Sequence, residues 1–125
     1  MDYISRIRDI YDGNIMLHDP YKGRNEENIP EELYAILCIS NGIGETMLHP
    51  KTGKEMMITW IVYPYEMIVE QTAFFNANYG IKGVVFADDG AGDPYIIKPD
   101  GEITCFNGID NEETRIADAL STFFK

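Results

Sequence analysis

The residues best placed to do chemistry lie in Asp88-Asp89-Gly90-Ala91-Gly92-Asp93, where three carboxylates within six residues could hold a hard cation through oxygen ligands. An EF-hand loop, however, takes ligands at alternating positions and a glutamate at its twelfth place. Counted from Asp88, the twelfth residue is Pro99, whose side chain cannot ligate. The spacing therefore favours a tight Asp/Gly connection between a strand ending at Ala87 and one starting at Pro94, and no metal or other cofactor is expected. A phosphate cradle is disfavoured too, because the aspartates would repel the anion.

An enzyme needs a nucleophile, a base and a site for developing charge. His18 and His49 are the only imidazoles. Both fall in loop or edge segments with no acid/base partner at a recognisable spacing, so they read as surface residues, and no catalytic residue is assigned. Gly42-Ile43-Gly44 lacks the third glycine and the preceding strand of a dinucleotide fingerprint, and reads as a helix stop and turn. Cys38 and Cys105 each sit in an apolar run; two isolated thiols make no disulfide framework, and both are expected reduced in the core. Trp60 could be an exposed aromatic anchor, but strand alternation sets it with Ile58 and Val62, which favours the core.

These residues must be positioned by a chain of 125 residues, 45% hydrophobic and 25% charged, which suits one domain over residues 1–125. Ile4, Ile7 and Tyr11 share a face of a first helix that Gly13 can end. Asn14 to Glu27 reads as an irregular connection. Asn28-Ile29-Pro30-Glu31 supplies a cap, a first-turn proline and a capping-box glutamate for a second helix with the stripe Leu33, Ile36 and Leu37, stopped by Asn41-Gly42. Thr46–His49 and Glu55–Tyr63 form a hairpin across Pro50–Gly53. The run from Pro64 to Tyr79 is helical and apolar over most of its girth, leaving a strip of Glu66, Glu70, Ala73 and Ala77 to water, so it should pack deep against a sheet.

Val84–Phe86, Tyr95–Ile97 and Ile103–Phe106 read as strands, the last two joined by Pro99-Asp100-Gly101. Asp110-Asn111-Glu112-Glu113 has the form of a capping box for a last helix with core residues Ile116, Ala119, Leu120 and Phe123. The order of elements argues for an α+β fold with a mostly antiparallel sheet packed against helices.

Ten Lys plus Arg against 21 Asp plus Glu leave a formal charge of −11. Nucleic acid and anionic membrane surfaces are disfavoured as ligands, since both are bound through Lys and Arg. A basic macromolecule is favoured, because long-range fields raise its rate of encounter. The charged start, with Asp2, Arg6, Arg8 and Asp9, is unlike a signal peptide, and the most apolar stretch, Met56 to Tyr63, is far shorter than the roughly 20 residues of a membrane span, so a soluble cytoplasmic protein is expected.

Ile29-Pro-Glu-Glu-Leu33 leading to Ile39-Ser-Asn-Gly42, then Val85-Phe-Ala-Asp-Asp-Gly-Ala-Gly-Asp-Pro-Tyr-Ile-Ile97 and a closing Ile116-Ala-Asp-Ala-Leu-Ser-Thr-Phe-Phe124, resembles the SUKH superfamily. The resemblance covers Ile29 to Phe124. It implies an α+β domain that binds and neutralises a bacterial toxin made beside it, often a nuclease with a basic active face, although members with regulatory or scaffolding roles exist. A non-enzymatic immunity protein is thus the first expectation, with a small metal-dependent or hydrolytic enzyme, or a regulatory module, as the alternatives. The carboxylates available to such a partner are Asp88, Asp89 and Asp93 in the turn, Glu66 and Glu70 on the helical strip, Asp110, Glu112 and Glu113 near the C-terminus, and Glu45 after the Asn-Gly stop.

Overall fold

The computed structural model describes residues 2–125. Its elements run α1 (Tyr3–Ile10), β1 (Ile15–Leu17), α2 (Glu31–Leu37), β2 (Ile43–Leu48), β3 (Glu55–Val62), α3 (Tyr65–Tyr79), β4 (Val84–Asp88), β5 (Pro94–Ile97), β6 (Ile103–Asn107), β7 (Glu112–Ala117) and α4 (Leu120–Phe123). The strands form two antiparallel sheets, ordered β1-β2-β3 and β4-β5-β6-β7. The fold is α+β, and Ile7, Leu33, Leu37, Ile43, Ile68, Phe86, Ile96 and Ile103 share one buried cluster.

Local chemistry explains most boundaries. The Asp2 side chain caps α1 by accepting from Ser5 N at 3.1 Å, and Gly13, at φ +79°, lets the chain leave the helix. Ile7 is fully buried on the expected face. Gly80, at φ +66°, ends α3. The β2–β3 and β5–β6 hairpins form at the expected turns.

Several expectations need correction. The segment from Asn14 to Glu27 is not wholly irregular, because Ile15–Leu17 pairs with β2. The helix expected from Asn28 starts at Glu31, since Asn25 holds both the N–H and the carbonyl of Ile29 at 2.9 Å, turning Asn28 to φ +52° and taking it out of a capping position. The capping box at Asp110–Glu113 does not form. Glu112–Ala117 is instead a strand paired with β6, where a Thr104 hydroxyl donates to Glu113 at 2.8 Å, and tied to the β5–β6 connection by Lys98–Glu113 at 2.8 Å and Arg115–Glu102 at 3.1 Å; cross-strand pairing outweighs the local helix signal. The last helix shrinks to Leu120–Phe123 and Ile116 is exposed.

Helix α3 is also less deeply packed than its composition suggests. Only Tyr65 and Ile68 are fully buried, while Phe74 and Tyr79 are half exposed and form an aromatic cluster with Phe75 and Phe106 at the helix's far end. Cys38 is exposed and Cys105 half-buried, against the core expectation for both; Cys38 follows α2 on the side away from Leu33, Ile36 and Leu37. A register shift in β3 breaks its alternation, so Ile58 is exposed and Trp60 half-buried, with Val62 alone of the three in the core.

The seam between β4 and β5 is tight at Gly83. Its φ is +121°, and a Cβ there would run into the Ile97 carbonyl oxygen. We expect Gly83→Ala to lower stability by about 3 kcal/mol, through strain and backbone overlap together. Gly53→Ala, with φ +69° but open space around the new atom, should lower it by only about 1 kcal/mol. Chemical denaturation of the two variants checks the difference.

Candidate functional site

The Asp88–Asp93 segment is the turn its composition implies. Asp88 pairs with Pro94 at the end of the ladder, and Asp89 N donates to the Asp93 carbonyl at 3.0 Å. The Asp89 Oδ1 accepts from Ala91 N and Asp93 N at 2.9 and 3.1 Å, and the Asp88 Oδ1 from Gly90 N at 2.7 Å. These are Asx-type contacts that mould the loop. The second oxygen of Asp88 accepts from the buried Tyr63 hydroxyl at 2.6 Å, which ties the turn to the end of β3. Among the described residues, no three His, Cys, Asp or Glu side chains are grouped to hold a metal ion.

The same turn forms one wall of a cleft of about 110 Å³ between the two sheets. Asp88, Asp89 and Tyr95 face Glu45, Thr59 and Trp60 across it, with Tyr11 at its margin. Glu45 arrives because β2 begins immediately after the chain turns at Gly42, at φ +96°, where a Cβ would crowd Trp60 and Pro64. A wider surface depression beside α1, lined by Asp2, Ile4, Arg8 and Ile39, gathers none of the candidate acids.

Electrostatics in the cleft follow from burial and negative charge. Burial first, then the Glu45 carboxylate, raises the ionisation of Tyr11 above the ordinary tyrosine value. Tyr95 is raised by burial and then by its neighbours Cys105 and Asp89. Burial and then Asp89 and Asp93 push the Cys105 thiol up to about 11. Tyr63 is raised further, by burial and by its bond to Asp88.

The structure thus brings Glu45, Asp88 and Asp89 together, with Asp93 half-buried on the same turn. It leaves the other candidates apart. Glu66 and Glu70 are exposed on α3, where Asn41 contacts Glu66 at 3.4 Å and caps the helix by accepting from Tyr65 N at 2.7 Å. Asp110 and Glu112 are exposed at the β6–β7 turn, and Glu113 is engaged with Lys98 and Thr104. Sequence reasoning missed Tyr11, Thr59 and Tyr95, which carry no motif and reach the cleft only through the pairing of distant strands.

Neither histidine is a free surface group. His49 lies in the β2–β3 turn, its Nδ1 accepting from Lys51 N and Thr52 N at 3.1 and 3.2 Å. His18 packs 5.1 Å from the Trp60 ring, with a buried Nε2 that has no hydrogen-bond partner among the described residues.

Residues 10–125 match the SMI1 / KNR4 family (SUKH-1). The chain belongs to that family. The match begins well before Ile29 and takes in β1 and every cleft residue, Tyr11 included, so the SUKH-1 domain of this chain is larger than the motifs alone indicated. No curated protein and no solved structure matches the chain significantly. No helix among the described residues is long and apolar enough to cross a membrane.

Two outcomes follow for this SUKH-1 domain. With an Ellman-type reagent at pH 8, Cys38 should react at once and Cys105 much more slowly, because Cys105 holds its proton and is half covered; Cys38→Ser and Cys105→Ser assign the two phases. Tyr11, Tyr63 and Tyr95 keep their protons to higher pH when folded than when unfolded. Their contribution is therefore present below pH 10 and is lost as pH rises above it, with Cys105 starting the decline near pH 9. Urea midpoints should be unaffected by these groups from pH 7 to about 9 and fall from there to pH 11, less steeply for Tyr63→Phe.

Proposed function

We propose that this SUKH-1 protein is a non-enzymatic, immunity-type binder that neutralises a cognate bacterial toxin in the cytoplasm of the producing cell. The observation that carries the reading is the convergence of Glu45, Asp88 and Asp89 from two sheets on one cleft, with no cation paired to any of them among the described residues. Membership of the SUKH-1 family and the charge of −11 support it.

The partner class is a basic enzyme, with a nuclease as the finer reading. Carboxylates set over a positive groove would occupy positions otherwise taken by phosphates and block the nucleic acid. Asp93 extends the acidic wall, while Glu66 with Glu70, and Asp110 with Glu112 and Glu113, are secondary surfaces on other faces. The hydrolytic alternative lacks support from the imidazoles, since His49 is engaged by its own turn and His18 is packed on Trp60.

Co-expression with the toxin encoded beside this gene tests the function. Growth should be rescued by the wild type, whereas a neighbouring metabolic operon in place of a toxin gene would count against it. Stopped-flow association with that toxin should slow as salt rises, because the Debye length falls from roughly 10 Å at 0.1 M to about 3 Å at 1 M. Glu45→Gln with Asp89→Asn should slow it at low salt while changing stability by less than about 1 kcal/mol. An association rate flat across the salt series would overturn recognition by charge.

A further inference from the structure

The β2–β3 hairpin leaves the core before it turns. Ile43, Ile61 and Val62 at its inner end are buried, whereas Met47 and Met56, paired directly across the two strands, are 43% and 41% exposed. Leu48, 65% exposed, follows on the other face of β2 opposite Glu55, and Ile58, 52% exposed, is the bulged residue of β3. Large apolar side chains gathered on one hairpin end mark an interaction surface more often than scattered ones do. Methionine suits that role, since its unbranched, polarizable side chain repacks readily against different shapes.

This ledge adjoins the acidic cleft. The irregularity at Glu45/Thr46 places the extra residue, Ile58, in β3 and leaves β2 regular; Thr46 is buried between half-buried Glu45 and exposed Met47, so Met47 follows Glu45 on the face opposite Thr46, about 6.6 Å along the strand. Thr59, paired with Glu45, lines the cleft with it, and Met56 pairs with Met47 on that side. Beyond Leu48 the turn carries Lys51 and Lys54. Along the hairpin the chemistry therefore runs from anionic, through apolar, to a turn with two lysines beside Glu55.

We propose that the Met47–Met56 ledge and the Glu45–Asp88–Asp89 cleft form one docking surface for a basic protein segment with an apolar face, its cationic end over the cleft and its apolar side chains on the methionines. The proposal rests on the protein-binding function argued above and adds the apolar half of the partner. Charge complementarity selects this occupant. Among the described residues the cleft carboxylates have no cationic partner, and burial of a neutral segment beside them would desolvate them without compensation.

Trp60, the chain's only tryptophan, lines the cleft, so its emission reports occupancy without a label. The probe is a synthetic tryptophan-free peptide of Leu and Lys at helical spacing; the control has Ser for Leu at equal charge. The Leu–Lys peptide should change the emission saturably and bind at least tenfold more tightly than the Ser–Lys peptide. Met47→Ser with Met56→Ser should abolish that difference, with the thermal midpoint little changed because both side chains are largely outside the core. Glu45→Gln with Asp89→Asn should weaken both peptides and flatten the salt dependence, and Lys51→Gln with Lys54→Gln should tighten both.

Equal binding of the two peptides by the wild type, or an unchanged preference in the methionine variant, overturns the ledge and leaves the charge-based function standing. Undiminished binding by the Glu45/Asp89 variant overturns charge recognition, and with it the function on which the proposal rests. A dimer in sedimentation that the methionine substitutions dissolve overturns the proposed occupant in favour of a second copy of the chain.

Discussion

Tyr63 is the residue on which the arrangement of the two sheets depends. Its backbone N–H donates to the Phe86 carbonyl at 2.8 Å, and its hydroxyl donates to Asp88 at 2.6 Å. One bond joins the end of β3 to β4 through the main chain, and the other fixes the start of the turn that follows β4. Because the ring is almost wholly buried, the hydroxyl has little access to water, and an unmade bond there would leave a desolvated donor and a misplaced carboxylate. The spacing of Glu45 from Asp88 and Asp89 is thus inherited from a contact that touches no partner.

The candidate site owes its charge to this arrangement more than to composition. An excess of carboxylates could have been spread evenly over the surface. Instead, several gather beside partly buried groups, where burial first and then the carboxylates raise the pKa of Tyr11 beside Glu45 and of Cys105 beside Asp89 and Asp93. Asp88 and Asp89 also accept hydrogen bonds from their own loop, so their positions are set before any partner arrives. A preorganised acidic wall avoids part of the ordering cost of association.

What was legible in the sequence was what local chemistry decides. The Asp/Gly turn at Asp88–Asp93, the hairpin at Pro99–Gly101 and the long helix ending at Tyr79 all follow from residues adjacent in the chain, whereas α2 ends at Leu37, short of the stop expected at Asn41-Gly42. The failures came where distant partners overrule local preference. Asp110–Glu113 has the letters of a helix start, but Thr104, Lys98 and Glu102 recruit that segment into a sheet. Asn25 does the same on a smaller scale by seizing Ile29 ahead of α2. The cleft was partly visible, since Glu45, Asp88 and Asp89 stood out as acids after turns. Their meeting was not, because it depends on the packing of β3 on β4, fixed in part by Tyr63, and on the register of β2 on β3.

The edge formed by β7 has a further consequence. Its outer side pairs with no strand among the described residues, at the margin of a four-stranded sheet, and an open edge is a template on which a strand of any other chain can add. Here an incoming strand would meet Glu112, Glu113 and Arg115 in a segment exposed over five of its six residues. Desolvating those charges opposes open-ended addition of strands, so the segment that departs most from its local helical signal also guards the protein against aggregation when it is abundant.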